Sequence, residues 1–240
     1  MQKNKKLLVD IGNSNTVIAQ YHNKQIKKVE NIPTNKLKEQ LAKLSLSEYK
    51  EVLVSSVVPQ LDAIVNQFKN VFFVNYQNIP FINIKQKKPQ EAGADRLVNA
   101  VAAHYLYKEN VLIIDSGTAI TFCYVEKNGC YQGGAIFPGM GIASKALELY
   151  TAKIPLIRVE PITGILGKST KEAVEIGLYQ GYICLINGMI DLYKEMDPNL
   201  IVVGAGNGLA VIKNKIAIDY MEPDLILKGL GIIADQKEGK

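Results

Sequence analysis

The chain has 240 residues, of which 48% are hydrophobic and 21% charged, and its formal net charge is +5. That composition is globular; it excludes a disordered tail and a mini-protein that needs disulfide or metal staples. Three widely spaced cysteines and two histidines exclude a Cys/His zinc site and a disulfide scaffold, and they fit a reducing cytoplasm. The basic N-terminus leads into no long apolar segment with a small-residue cleavage site, so no signal peptide is expected. The uncharged run at 176–190 is too short and too polar to span a membrane, so no membrane partner is expected. The lysines are spread along the chain with no interleaved aromatics and no nucleic-acid motif, which argues against a nucleic-acid partner. A modest positive field suits an anionic substrate.

Leu7-Leu8-Val9-Asp10 reads as a short buried strand ending in an acid. It runs through Ile11-Gly12-Asn13-Ser14-Asn15-Thr16 and returns as Val17-Ile18-Ala19, a hairpin with a tight glycine turn. Residues 34–44 carry Leu37, Leu41 and Leu44 at helical spacing, and 52–57 read as a strand. Pro59 opens a helix to about Asn70, and 71–74 form another strand. From 95 to 108, Leu97, Val98, Val101, Ala102, Tyr105 and Leu106 mark an amphipathic helix.

The opening then repeats. Leu112-Ile113-Ile114-Asp115 is followed by Ser116-Gly117-Thr118-Ala119-Ile120-Thr121 and by Phe122-Cys123-Tyr124-Val125. Both copies fit apolar-apolar-apolar-Asp-x-Gly-x-x-x-Thr, and an internal repeat decides architecture. Residues 128–144 are uncharged and glycine-rich, with Gly133-Gly134 and Pro138-Gly139, so a loop and a helix start are expected there. A helix follows over 141–150, and Ser169-Thr170-Lys171-Glu172 resembles the capping box of a long helix. Ile201-Val202-Val203 is a strand running into Gly204-Ala205-Gly206-Asn207-Gly208 and a helix, and 223–235 close the chain as a helix. The two halves divide near Asn110, giving domains 1–109 and 110–240.

Asp10 and Asp115, at corresponding strand ends, carry the first chemistry. An acid there can hold a cation or its water, and the amides and hydroxyls of the following turn can face phosphate oxygens. Two such hairpins facing across a cleft would grip a metal-nucleotide from both sides. Gly93-Ala94-Asp95-Arg96 opens a helix, a place that favours anions, so Asp95 can stay ionised and act as a base. Arg96 is one of two arginines among 28 basic residues, which suggests bidentate recognition of a carboxylate or phosphate. The glycines of 204–208 are not G-x-G-x-x-G, and Gly164 and Gly167 stand too close for a P-loop. His22 and His104 have no evident partner, so no Ser/His/Asp arrangement is supported.

These motifs resemble the type III pantothenate kinases, of the acetate-and-sugar-kinase, actin and heat-shock-chaperone superfold. The resemblance covers nearly the whole chain and rests on six stretches in order. They are Asp10-Ile11-Gly12-Asn13-Ser14-Asn15-Thr16, Gly93-Ala94-Asp95-Arg96-Leu97-Val98-Asn99, Asp115-Ser116-Gly117-Thr118-Ala119-Ile120-Thr121, Gly133-Gly134-Ala135-Ile136-Phe137-Pro138-Gly139, Thr151-Ala152-Lys153-Ile154-Pro155, and Gly167-Lys168-Ser169-Thr170 with Gly177 after it. It implies an α/β fold of duplicated ribonuclease-H-like, actin/sugar-kinase-type mixed-sheet domains with a cleft between them. It implies ATP-dependent phosphorylation of the 4′-hydroxyl of pantothenate, the first step toward coenzyme A. The resemblance assigns ATP contacts to Asp10, Ile11, Gly12, Asn13, Ser14, Asn15, Thr16, Val17 and Thr118, with Asp10 also near Mg²⁺. Asp95 becomes the general base, with Gly93, Ala94, Arg96, Gln86 and Thr170 shaping the pantothenate pocket, which a homodimer interface completes. Asp115 becomes the ligand of a monovalent cation, K⁺ or NH₄⁺. Gln86 stands where the family commonly has a tyrosine, Ser14 where threonine is usual, and Gly204-Ala205-Gly206 where Thr-Gly-Gly is common. The competing expectations are an accessory transcriptional regulator of the same family, and another small-molecule kinase of the superfold.

Overall fold

A strand apolar on both faces has to sit in the middle of a covered sheet, and each half of the repeat supplies one. In a computed structural model, which describes residues 5–44, 48–67 and 69–238, Leu7, Leu8 and Val9 on β1 (Lys6–Ile11) are fully buried. β2 (Asn15–His22) and β3 (Gln25–Pro33) continue it as an antiparallel meander. Beyond a 3₁₀ turn at Thr34–Lys36 and α1 (Leu37–Leu41), β4 (Glu51–Ser56) pairs with β1 in parallel. After α2 (Pro59–Asn66), β5 (Val71–Phe73) adds in parallel to β4. The sheet order is β3-β2-β1-β4-β5.

The second sheet repeats this plan. After β6 (Asn83–Ile84) and α3 (Ala94–Tyr107), β7 (Val111–Ser116) takes the part of β1. β8 (Ala119–Val125) and β9 (Cys130–Pro138) follow it. Helices α4 (Met140–Tyr150) and α5 (Thr170–Met196) come before β10 (Ile201–Ala205) and β11 (Tyr220–Glu222). β10 is parallel to β7, and β11 to β10. The order is β11-β10-β7-β8-β9-β6, so a three-strand run with two added parallel strands occurs twice. The expected duplicated mixed-sheet α/β architecture is therefore present.

By contacts the chain forms two units. Unit 1 holds Met1–Lys108, Val125–Gly133 and Asp224–Lys240; unit 2 holds Glu109–Tyr124 and Gly134–Pro223. The last helix, α6 (Leu225–Glu238), thus belongs to unit 1, packed on α3 and β1. Its Leu227, Leu230 and Ile233 share a core with Leu8, Leu53, Val98 and Val101. Lys6, almost wholly buried, donates to the Ala234 carbonyl at 2.5 Å and pairs with Glu238 at 3.3 Å.

Four expectations need correction. Residues 130–138, expected as a loop, form strand β9. Their glycines mark a close approach: a Cβ at Gly134 would lie 1.6 Å from the Phe122 carbonyl oxygen, so only glycine lets β9 lie against β8 there. The helix expected over 34–44 is a 3₁₀ turn followed by the short α1, and the one from Pro59 stops at Asn66. The strand at 201 leads into a 3₁₀ turn, Asn207–Leu209, rather than an α-helix.

Helix α5 is long and apolar enough to cross a bilayer by length and composition. Instead, its Leu178, Tyr179, Tyr182, Ile186 and Ile190 are buried in the core of unit 2 with Leu112, Phe122 and Val202. The predicted capping box starts it: Ser169 is the N-cap, and its hydroxyl accepts from the Glu172 N–H at 3.2 Å. The Glu172 carboxylate in turn accepts from the Lys168 N–H at 2.7 Å. Ser169→Ala is expected to lower the unfolding free energy in urea by about 1 kcal/mol, the usual loss of an N-cap.

Candidate active site

In unit 1 the first turn is held from below by a residue the sequence reading passed over. Gly12 N–H donates to the Asn15 carbonyl at 3.1 Å, which closes the turn. The Thr34 hydroxyl donates to the Gly12 carbonyl at 2.7 Å and lies 3.1 Å from the Thr16 hydroxyl. The Thr34 N–H reaches the Ser14 carbonyl at 2.9 Å. Ile11 and Thr16 are buried, Asp10, Gly12 and Val17 half-buried, and Asn13, Ser14 and Asn15 exposed at the tip. So the residues expected at phosphate divide into a buried footing and an exposed tip. Thr34 follows Pro33 at the start of a helical pattern, and nothing in its neighbourhood in sequence points back to the turn.

Asp10 lies opposite Ser55 in the parallel pairing of β1 and β4, so both side chains share a face. Ser55 is fully buried, and its hydroxyl finds no hydrogen-bond partner among the described residues. Among those residues no group of three or more His, Cys, Asp or Glu forms a cage for a metal. A hard cation that comes with a phosphate substrate needs only one or two carboxylates, and Asp10 at its strand end fits that need.

Unit 2 holds the second turn by a different device. Gly117 N–H donates to the Ala119 carbonyl, and Gly139 N–H to the Thr118 carbonyl at 3.0 Å. Thr118 itself is half-buried. The glycines of 204–208 close over the strand end. A Cβ at Gly206, whose φ is +73°, would lie 2.5 Å from Asp115 Oδ1 and 2.6 Å from the Ser116 carbonyl. One at Gly208 would lie 2.4 Å from Ser116 Oγ. Glycine at these two positions thus lets the loop backbone pack directly against the oxygens of Asp115 and Ser116.

Asp95 sits in the first turn of α3, after the N-cap Gly93. Its Oδ1 accepts from the Arg96 N–H at 2.8 Å, and it folds so closely that a Cβ at Gly93 would lie 2.5 Å away. A side chain at Gly93 would displace that carboxylate from its place. Burial pushes the Asp95 carboxyl above the usual carboxylate range, against the opposing pull of the Arg96 N–H and guanidinium. Arg96 Nη2 donates to the Glu91 carbonyl at 3.1 Å. Ala94 is buried beside it. Gln86 packs on Gly133, and its buried Oε1 has no hydrogen-bond partner among the described residues. Thr170, in unit 2, is exposed at the first position of α5.

The model of the type III pantothenate kinase family matches residues 6–192. A type III pantothenate kinase of Listeria welshimeri is 33% identical over 252 residues, covering 95% of each chain. The chain belongs to the type III pantothenate kinase family. A relative of the same name from Citrifermentans bemidjiense is 31% identical, over 95% of this chain and 97% of its own. Among solved structures, a Campylobacter jejuni protein assigned to the Baf family of transcriptional activators superposes with a TM-score of 0.67 at 19% identity. It covers 98% of this chain and all of its own. The inorganic polyphosphate/ATP-glucomannokinase of an Arthrobacter strain gives 0.50 at 11% identity, covering 98% and 100%. At such identities these two show the fold, which is that of the actin-like ATPases and sugar kinases.

Thr34→Val is expected to cost about 1–3 kcal/mol, because it strands the Gly12 carbonyl and the Thr16 hydroxyl. Thr34→Ser should keep most of the wild-type stability. Urea unfolding of the two variants checks this.

Proposed function

We propose that this chain transfers the γ-phosphoryl group of ATP to the 4′-hydroxyl of pantothenate, the first step of coenzyme A synthesis. The observation that carries the reading is Asp95, a desolvated carboxylate at a helix start in a chain of this family. In the step, the pantothenate oxygen forms a bond to the γ-phosphorus, the bond to ADP breaks, and Asp95 takes the hydroxyl proton. Phosphoryl transfer leaves the protein mainly positioning and charge neutralisation. A carboxylate with a raised pKa accepts a proton more readily once ionised.

The remaining roles follow from chemistry and position. The exposed tip at Asn13, Ser14 and Asn15 offers amides and a hydroxyl to phosphate oxygens, on the buried footing of Ile11 and Thr16. Gly12 and Val17 complete that turn, and Thr118 supplies a further ATP contact. Asp10 would hold Mg²⁺, which neutralises phosphate charge when bound with ATP. Asp115, with the oxygens of Ser116, would hold K⁺ or NH₄⁺. Gln86 offers pantothenate its unpaired amide oxygen, and Gly93, Ala94 and Arg96 lie near it in sequence and line the substrate; the family resemblance adds Thr170, in a pocket that a homodimer interface completes. The chain works in the cytoplasm, where its nucleotide is available.

A homodimer is supported by α5. Ala173, Gly177, Gly181, Cys184 and Gly188 form one exposed stripe, with open space where a Cβ would stand on each of the three glycines. Each helix-interior glycine costs ~0.8–1 kcal/mol against alanine. Close approach of a second helix would offset that cost. Gly181→Leu is expected to turn dimer into monomer in sedimentation velocity, with helical content unchanged.

The first test is ADP release dependent on pantothenate, with Mg²⁺-ATP and K⁺. Asp95→Asn is expected to lower kcat by ~10²–10⁴, the span of a lost general base. Folded, ATP-binding wild-type protein without turnover would overturn the reading in favour of a regulatory one. The raised pKa also fixes two pH trends. Wild-type kcat should rise with pH through a limb above the ordinary carboxylate range, as Asp95 loses its proton. The fold prefers Asp95 neutral, so stability is lost as pH rises through the carboxylate range to the folded pKa. Asp95→Asn should therefore melt higher than wild type at pH 7, a gap that closes in acid.

A further inference from the structure

Unit 1 contains a cavity that the reaction does not use. Its volume is about 690 Å³, within the 300–1,000 Å³ usual for small-ligand sites. Its walls come from three parts of the unit: Tyr21 and Ile26 from the β2–β3 hairpin, Tyr105 and Leu106 from the end of α3, and Ile232 from α6, with Phe81 at the side. Lys24 and Lys228 supply positive charge, and Asp235 negative.

The cavity is remote from the proposed chemistry. Tyr21 lies five residues along β2 from Thr16, ~17 Å at strand rise. Tyr105 lies ten residues along α3 from Asp95, ~15 Å at helical rise. A ligand here would sit at the other end of both elements.

Its walls are built rather than incidental. The Tyr21 hydroxyl donates to Asp235 Oδ2 at 2.7 Å, so the acid's charge is partly met from inside. Burial and that carboxylate push the Tyr21 phenol well up, which keeps it a donor. Phe81 has a left-handed backbone (φ +66°), a costly conformation for a bulky residue, and it brings its ring to 6.1 Å from that of Tyr105. Lys24 is likewise left-handed, the second residue of the two-residue hairpin turn after Asn23, which fixes where its stem leaves the backbone. Phe81, Tyr105 and Leu106 are all exposed, an apolar cluster left open to solvent.

We propose that this cavity is a second ligand site, for a small planar apolar molecule carrying one negative group such as a carboxylate, sulfonate or phosphate. Flat rings suit the aromatic walls, and Lys24, exposed on its turn at the rim, favours an anion. The site stands whether or not the reaction proposed above is the chain's own.

The test uses two dyes that differ in charge, 1-anilinonaphthalene-8-sulfonate and the neutral N-phenyl-1-naphthylamine, titrated by fluorescence into the full chain. Saturable binding of one sulfonated dye per chain is expected, unaffected by Mg²⁺-ATP. Tyr105→Ala and Leu106→Ala should each weaken both dyes about tenfold; these exposed side chains can be cut with the fold kept, as a thermal melt verifies. Lys24→Gln with Lys228→Gln should weaken the sulfonated dye alone. Binding that survives Tyr105→Ala and Leu106→Ala, displacement of the dye by Mg²⁺-ATP, equal effects of the lysine changes on both dyes, or no saturable binding would each overturn the proposal.

Discussion

The backbone approach of α6 to α3 at Gly229 sets the position of the helix that carries Asp95. A Cβ there would lie 2.3 Å from the Val98 carbonyl, so the two helices meet at backbone contact. Val98 is one turn from Asp95. A carboxylate largely withdrawn from water tends to take up a proton or to move toward solvent, and a fixed helix start holds it in place. That fixity comes from α6, tied down by the buried Lys6 and by Lys237, which pairs with Glu51 and lies over the Phe72 ring at 3.4 Å.

The two repeats solve one problem by different means. Each must hold a turn after an aspartate at a strand end. In unit 1 a hydroxyl does it, Thr34 reaching the Gly12 carbonyl. In unit 2 a glycine loop does it, with Gly206 and Gly208 pressed on Asp115 and Ser116. The first leaves an exposed tip of amides and hydroxyls, and the second leaves the acid and its neighbour packed under a glycine backbone.

Much of the architecture was legible because it rests on short-range patterns. The two buried strands, the Asp-x-Gly turns, the helix of Leu97 and Val101, and the Ser169 cap each signal themselves within a few residues. The glycine-rich stretch at 130–138 misled for a physical reason. Glycine marks a flexible turn and a close backbone approach alike, and only the Phe122 carbonyl beside Gly134 distinguishes them. β3 escaped notice because its Gln25–Pro33 sequence is largely polar and carries no apolar alternation.

The sequence by itself determined the duplicated strand-turn-strand plan, the family, and the acids at Asp10, Asp95 and Asp115, since spacing and residue type are local properties. Tertiary structure decided that Thr34 braces the first turn, that Asp95 is desolvated, and that the last helix belongs with the first unit rather than with the second half of the chain. Each of these depends on atoms far apart in sequence meeting within hydrogen-bond or van der Waals distance. Linear order carries no direct record of such meetings, because burial and close packing exist only once the chain has closed on itself.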